Sequence, residues 1–106
     1  MLQQIKGHPN YYIDEFGRVM RNDYYLVPDT SNGYKRVDID GRKEMVARLV
    51  LETFRPTNNQ SLKVFYIDGN PMNCRLDNLV WLTASEVQLY SSYTVQYRKE
   101  LARARD

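Results

Sequence analysis

The sequence has little of the chemistry that crosslinks small proteins. Among its 106 residues there is one cysteine, Cys74, and one histidine, His8. A single cysteine excludes an intramolecular disulfide, and paired Cys or His residues at zinc spacings are absent. We expect Cys74, which lies in a polar loop, to be inert. A chain of this length can bury a sufficient core without such crosslinks.

Long apolar runs and an excess of one charge are also missing. No stretch is long enough for a signal peptide or a membrane span, so we expect a cytoplasmic protein with no membrane partner. The 15 basic and 13 acidic residues leave a net charge of +2. Any nucleic-acid surface must therefore come from local clusters of basic side chains.

The middle of the chain predicts a helix followed by two strands. Apolar residues recur at three- and four-residue steps from Met45 to Phe54, which predicts a helix that ends before Pro56. Residues 62–67 and 79–82 are short runs rich in β-branched, aromatic and leucine side chains, and they predict strands on either side of a polar loop.

A second helix is expected from Thr83 onwards. Thr83 and Glu86 have the spacing at which a hydroxyl and a carboxylate cap the first turn of a helix. Residues 91–94 have weak helix propensity and predict a kink or break. An apolar stripe and a basic tail then follow. The stripe is Val87, Tyr90, Thr94, Tyr97 and Leu101.

Residues 1–44 predict an antiparallel β meander that packs, without a linker, on the unit formed by residues 45–106. The first four residues are expected to be a loose lead-in. Gly17 can supply the positive φ of a first hairpin turn, and Asp40-Gly41 is a strong signal for a second. Leu26-Val27 is expected to form a short edge strand.

Three runs of the central segment carry a recognisable pattern. They are Val46-x-Arg48-Leu49-Val50-x-x-x-Phe54, Val64-x-Tyr66-Ile67-Asp68-Gly69-Asn70 and Asn73-x-Arg75-x-Asp77-Asn78-Leu79-x-Trp81-x-Thr83. Together they resemble the HNH homing endonucleases of phages and mobile introns. Residues 5–13 and 16–19 are similar to the modular DNA-binding segment that commonly precedes that core. The resemblance implies an α+β fold: a small N-terminal β meander packed with a ββα-metal core and a C-terminal helix.

The resemblance also identifies the catalytic positions, and there the chain departs from the family. Tyr66 stands where the family has its general-base His, and Phe65 stands where it has Asp or Asn, of which Asp binds metal in many members. Asn73 and Asn78 match the residue that orients that His and the last metal-binding residue. Phe65 offers no lone pair to a cation. At its ordinary pKa, a tyrosine is ionised in roughly one molecule per thousand at pH 7.

We therefore expect the fold to be retained and the catalysis to be lost, as in a pseudoenzyme. No cofactor is expected, and Mg²⁺ or Mn²⁺ would matter only to a residual nuclease. Asp68 and Asn78 are the weak candidates for metal ligands. Asp68 is more simply explained as a turn residue with Gly69.

Double-stranded DNA is the expected partner, bound by a chain that acts through site binding or occlusion. The candidate contacts are Lys35, Arg36, Arg42 and Lys43 on the second hairpin, and Arg55, Lys63 and Arg75 around the former active site. An ordinary solvated surface explains these residues equally well. Tyr24 and Tyr25, expected in a loop, are further interface candidates. Two alternatives remain: a residual metal-dependent nicking endonuclease, and a phage-encoded protein that binds a host protein in the bacterial cell.

Overall fold

The chain forms three small antiparallel sheets and three α-helices within residues 1–105, the part that the computed structural model describes. The strands are β1 Gln3–Ile5, β2 His8–Ile13, β3 Val19–Arg21, β4 Tyr24–Tyr25, β5 Arg36–Ile39, β6 Arg42–Met45, β7 Lys63–Tyr66 and β8 Leu79–Leu82. The helices are α1 Val46–Phe54, α2 Ala84–Ser91 and α3 Val95–Arg105. A short 3₁₀ turn, Leu76–Asn78, precedes β8. None of these helices is both long and apolar enough to cross a membrane.

The N-terminal sheet has the order β1-β2-β3-β4 and corrects two expectations. The expected lead-in is wrong, because Gln3 to Ile5 pair with β2 and bury the side chain of Ile5. The expected edge strand at Leu26-Val27 is also wrong. The edge strand is Tyr24–Tyr25, and Val27 is 93% exposed. The reason lies in Asn22, whose φ of 56° allows a tight turn directly after β3 and starts the next strand early.

Strands β5 and β6 form a separate two-stranded sheet. The predicted turn at Asp40-Gly41 is present, with φ values of 50° and 86° that suit a two-residue hairpin. Val37 and Ile39 alternate with exposed Asp38 and are buried in the main core. The N-terminal half is thus two small sheets, each of which has one face against the core.

Helix α1 lies at the centre of the main core. It ends at Phe54, as predicted, because the residue before Pro56 is disfavoured in the α conformation. Val46, Ala47 and Val50 are fully buried, and α1 contacts the N-terminal sheet on one side and the β7–β8 hairpin on another. Its burial joins the two halves of the chain.

The β7–β8 hairpin separates two apolar clusters because alternate side chains of a strand face opposite ways. Val64 and Tyr66 pack on the main core, whereas Phe65 and Ile67 face a second cluster formed with α2 and α3. The capping box at Thr83 and Glu86 is present. The chain breaks between α2 and α3 where weak propensity predicted it, and α3 folds back so that Ala102 is buried.

The turn between β2 and β3 is fixed against the loop that precedes the 3₁₀ turn. The carbonyl of Glu15 accepts a hydrogen bond of 2.8 Å from the N–H of Leu76. Gly17 has a φ of 81°, and a Cβ there would lie 2.8 Å from the carbonyl oxygen of Cys74. Only glycine fits this contact, which sets the N-terminal sheet against the loop of residues 67–78.

Candidate functional site

The loop between β7 and β8 is closed by a polar network on Asp68. Its carboxylate accepts hydrogen bonds from the N–H of Asn70 at 2.8 Å and from the side-chain amides of Asn73 and Asn78, both at 2.9 Å. Both carboxylate oxygens are therefore occupied by donors of the same loop. Asp68 acts here as a turn residue.

Asn78 is buried at 5% exposure, and its side-chain amide hydrogen-bonds within the same network. Its Oδ1 accepts from the N–H of Asp68 at 3.0 Å, and its Nδ2 donates to the Asp68 carboxylate and to the carbonyl of Asn73 at 3.0 Å. The amide oxygen that would be offered to a metal thus points at a backbone N–H.

The network also sets the charge state of Asp68. Burial raises the pKa of Asp68, but the hydrogen bonds from Asn73, Asn70 and Asn78 outweigh it, so the pKa lies below its ordinary value. The carboxylate is ionised near neutral pH, and neutral amide donors satisfy it. No cation is required for that.

Phe65 fills the space between the hairpin and the C-terminal helices. Its ring meets Tyr90 edge-on, with the ring centres 5.7 Å apart. The guanidinium of Arg98 lies 5.5 Å from the Phe65 ring centre. The position to which the resemblance assigns an acidic or amide side chain is therefore part of an apolar cluster, with a cation beside its ring.

Arg98 is held in place by three backbone carbonyls. It donates to Tyr90 at 2.7 Å and Ser91 at 3.1 Å, at the end of α2, and to Ile67 at 3.0 Å, after β7. A fixed positive charge thus sits beside Phe65, where it repels any second cation. Sequence reasoning missed this role, since Arg98 and Ile67 lie 31 residues apart.

Tyr66 lies on the opposite face of the hairpin, half-buried and beside Tyr34 at a ring-centre distance of 6.2 Å. Burial raises the pKa of Tyr66 to about 12. Only about one molecule in 100,000 would carry the phenolate at pH 7, fewer than the ordinary pKa allows. The environment thus makes Tyr66 a poorer base than the sequence alone indicates.

A divalent metal ion does not fit the residues at these positions. The one carboxylate, Asp68, has both oxygens bonded to amides, Asn78 is turned inward, and Phe65 has no donor atom. Within residues 1–105 no group of three or more His, Cys, Asp or Glu side chains is placed to hold a metal. The hard, charged oxygen ligands that Mg²⁺ and Mn²⁺ need are not assembled here.

Two of the four basic candidates on the second hairpin pair with acidic side chains. Arg36 contacts Asp29 at 3.2 Å, and Lys43 lies 3.5 Å from Asp29 and 3.4 Å from Asp38. Hydrogen bonds from Ser31, with Lys43 nearby, lower the pKa of Asp29 to about 2. Of the remaining pair, Lys35 is half-buried and Arg42 is exposed.

The other three basic candidates do not form a single cluster. Arg55 and Arg75 border one cleft together with Phe16 and Asp77. Lys63 instead lines a separate groove beside Tyr66. Tyr24 and Tyr25, which form β4, are each 53% exposed.

Comparison with known proteins gives three matches. The family model described as HNH endonuclease matches residues 45–89. An uncharacterized HNH endonuclease of Acanthamoeba polyphaga mimivirus is 34% identical over 91 residues, which cover 77% of this chain and 23% of that protein. This chain therefore spans about a quarter of the length of that relative.

A solved structure, reported for DNA binding and cleavage by the HNH homing endonuclease I-HmuI, matches the fold. Its TM-score is 0.71 at 24% identity, and the match covers 97% of this chain and 66% of that one. The similarity therefore includes the N-terminal sheets as well as the central unit. The α+β fold expected from the sequence is confirmed.

Proposed function

Since this chain is an HNH endonuclease-like protein with the fold of an HNH homing endonuclease, we propose that it binds double-stranded DNA without cleaving it. On this proposal it acts by binding or occluding a DNA site. The DNA partner is carried over from I-HmuI, whose structure is reported for DNA binding and cleavage. The loss of cleavage is argued from this chain's own residues.

One observation carries the proposal: the residues at the positions assigned to a metal ligand and a base make their polar and packing contacts with one another and with the rest of the chain. Asn78 and Asp68 bond to each other, and the Arg98 cation lies on the Phe65 ring. Phosphodiester hydrolysis at such a site needs a cation to polarise the phosphate and a base for the water. Neither Phe65 nor Tyr66 supplies these functions.

Supercoiled plasmid tests the loss of cleavage. We expect no nicked or linear product from the native chain with Mg²⁺ or Mn²⁺, while a gel-shift assay on the same plasmid detects binding. The control variant is Asn78→Ala, at the last position that the resemblance assigns to a metal ligand, and it is assayed at a temperature at which its far-UV spectrum shows it to be folded. Nicking that is abolished by EDTA and by Asn78→Ala would establish the residual endonuclease and overturn the proposal.

If the native chain does not bind DNA, the DNA-binding part of the proposal is wrong. In that case the inherited surface would have a protein partner. A stoichiometric partner that co-purifies with the chain after nuclease treatment would establish that alternative. Co-purification that nuclease treatment abolishes supports DNA binding.

A further inference from the structure

Four side chains form an exposed row in which guanidinium groups alternate with aromatic rings. The guanidinium of Arg18 lies 5.5 Å from the ring centre of Tyr25 and 5.3 Å from that of Phe16. Arg75 lies 4.8 Å from the Phe16 ring centre. We call this set the arginine-aromatic row. Both guanidiniums lie beside the Phe16 ring, so the distance between them cannot exceed the sum of 5.3 Å and 4.8 Å.

The row is open to solvent. Phe16 and Tyr25 are 45% and 53% exposed, and the side chains of Arg18 and Arg75 are 58% and 52% exposed. Large rings with packing roles in a small domain are normally buried, as Tyr11 and Tyr90 are here. Exposed aromatic and arginine side chains together are typical of a binding surface.

Arg18 is oriented before any partner arrives. The carboxylate of Asp14, 4% exposed, accepts a 2.7 Å hydrogen bond from Arg18 Nε and 3.0 Å hydrogen bonds from the N–H groups of Phe16 and Arg18. Within residues 1–105 the structure gives the Nη groups of Arg18 no acceptor. They remain available as a pair of charged donors, and little side-chain entropy is left to lose on binding.

The row joins two parts of the fold. Phe16 and Arg18 belong to the β2–β3 turn, while Arg75 belongs to the loop that the Asp68 network closes. The backbone bond between Glu15 and Leu76 holds the two segments together. A partner seated on the row would therefore contact the N-terminal sheet and the central unit at once.

We propose that the arginine-aromatic row binds the phosphate backbone of duplex DNA, with Arg18 and Arg75 each contacting a phosphate and Phe16 keeping the two guanidiniums in place. This inference rests on the proposed function and assigns its contact surface. The planar fork of arginine matches phosphate oxygens. The rings of Phe16 and Tyr25 already carry guanidiniums, which leaves less of their faces for stacking with unpaired bases. Acidic neighbours do not separate the row from the hairpin cluster, because Arg18 pairs with Asp14 and Arg75 lies 3.5 Å from Asp77. The row is preferred because exposed rings hold its two guanidiniums, an arrangement that the hairpin cluster lacks among residues 1–105.

Fluorescence anisotropy with a duplex oligonucleotide, between about 50 and 200 mM salt, tests the row. We expect Arg18→Gln and Arg75→Gln each to reduce the slope of log affinity against log salt by about one and to weaken low-salt binding about tenfold. Phe16→Leu should weaken binding and keep the slope, because it removes the support and leaves the charge. The matched control, Arg103→Gln at an exposed position on α3, should keep the native slope.

Folding is checked separately, since Arg18→Gln also removes a partner of buried Asp14. Arg18→Lys keeps the charge and should keep the slope while losing affinity, and each variant must show the native far-UV spectrum.

If native protein binds duplex DNA and the Arg18 and Arg75 variants keep its slope, the assignment of the row to DNA is wrong and the proposed function stands. If native protein does not bind duplex DNA at low salt, both fail. Tighter binding of a single-stranded oligonucleotide, lost in Phe16→Leu, would assign the row to unpaired bases and overturn the duplex inference.

Discussion

Asn78, which the resemblance assigns to the last metal-binding position, holds a loop together in this structure. Its amide makes one hydrogen bond as acceptor and two as donor, and all three hold the loop of Asp68 closed. Because the side chain is buried, losing it leaves loop groups without partners.

We expect Asn78→Ala to lower the free energy of unfolding by about 2 kcal/mol, through the loss of its three hydrogen bonds to Asp68 and Asn73. Urea unfolding measures it. Asn58→Ala, in an exposed loop, is the matched control and should change stability by less than about 0.5 kcal/mol. An equal effect in the two variants would show that the Asp68 network does not stabilise the fold.

Asp14 gives the molecule a stability that depends on pH. Burial raises the pKa of Asp14, but hydrogen bonds from Arg18 and Phe16 outweigh it, so the pKa lies below its ordinary value. A carboxyl whose pKa is lower in the folded state stabilises the fold above the unfolded pKa of about 3.9. That contribution is lost as the pH falls through the folded-state pKa.

Asp14→Asn should therefore be less stable than the native chain near neutral pH, and the difference should shrink as the pH is lowered below about 4. Urea midpoints measured at a series of pH values check this. Asp23→Asn, on an exposed turn, serves as the comparison and should follow the native curve. A constant difference between Asp14→Asn and the native chain across the acid range would contradict the charge argument.

Contacts of individual side chains were predicted from the sequence less well than helices and strands were. The resemblance assigns Phe65, Tyr66, Asn73 and Asn78 to the catalytic positions because these residues follow a motif of neighbouring residues. The Arg98 contact and the row formed by Phe16 and Arg75 join segments that are distant in the chain. Local patterns carry no information on such pairings, which depend on how α3 and the β2–β3 turn pack.

Among the elements, those with strong local signals were predicted and those dependent on pairing were not. Three signals are properties of neighbouring residues: the three- and four-residue spacing of apolar side chains in α1, the capping box of α2 and the Asp40-Gly41 turn. Strand β1 has no such signal, because Gln3–Ile5 is extended only through its partner β2. The same holds for Tyr24–Tyr25, which a positive φ at Asn22 brings back onto β3.

The β2–β3 turn depends on a glycine for its docking. In Gly17→Ala the new methyl group would meet the carbonyl of Cys74 at 2.8 Å, in a conformation with positive φ. We expect a loss of about 3 kcal/mol in the free energy of unfolding, of which about 1 kcal/mol is the backbone term. Gly33→Ala has a similar φ of 86° and nothing within 4 Å, so it should show the backbone term alone. Thermal and urea unfolding compare the two, and an equal loss would mean that the contact with Cys74 does not matter.

Helix α3 is held against the hairpin by Arg98. Arg98→Gln should remove most of the bonds to Tyr90, Ser91 and Ile67, and so increase amide exchange in α3 by about tenfold or more while α1 keeps its protection. Hydrogen exchange followed by mass spectrometry resolves the helices. The control is Arg103→Gln on the same helix, an exposed position whose side chain makes no hydrogen bond among residues 1–105. Similar exchange in the two variants would mean that α3 is held by its apolar contacts.

At the scale of the whole molecule, we propose that the fold has been kept and the cleavage chemistry has been lost. The N-terminal sheets, the central unit and the C-terminal helices match a homing endonuclease in fold over nearly all of the chain. The catalytic positions are occupied by an apolar ring, a phenol of raised pKa and an internally bonded asparagine. On the proposed function, such a molecule binds DNA through that fold and contributes no ligands for a cation.

The most direct test of this account is the affinity for duplex DNA measured by anisotropy in EDTA and again in Mn²⁺ at constant ionic strength. The account predicts that Mn²⁺ does not tighten binding, since it only competes for the phosphates, and that the duplex is intact after each titration. Asn78→Ala should respond to Mn²⁺ as the native chain does. Tighter binding in Mn²⁺ that disappears in Asn78→Ala, or a cleaved strand, would contradict it.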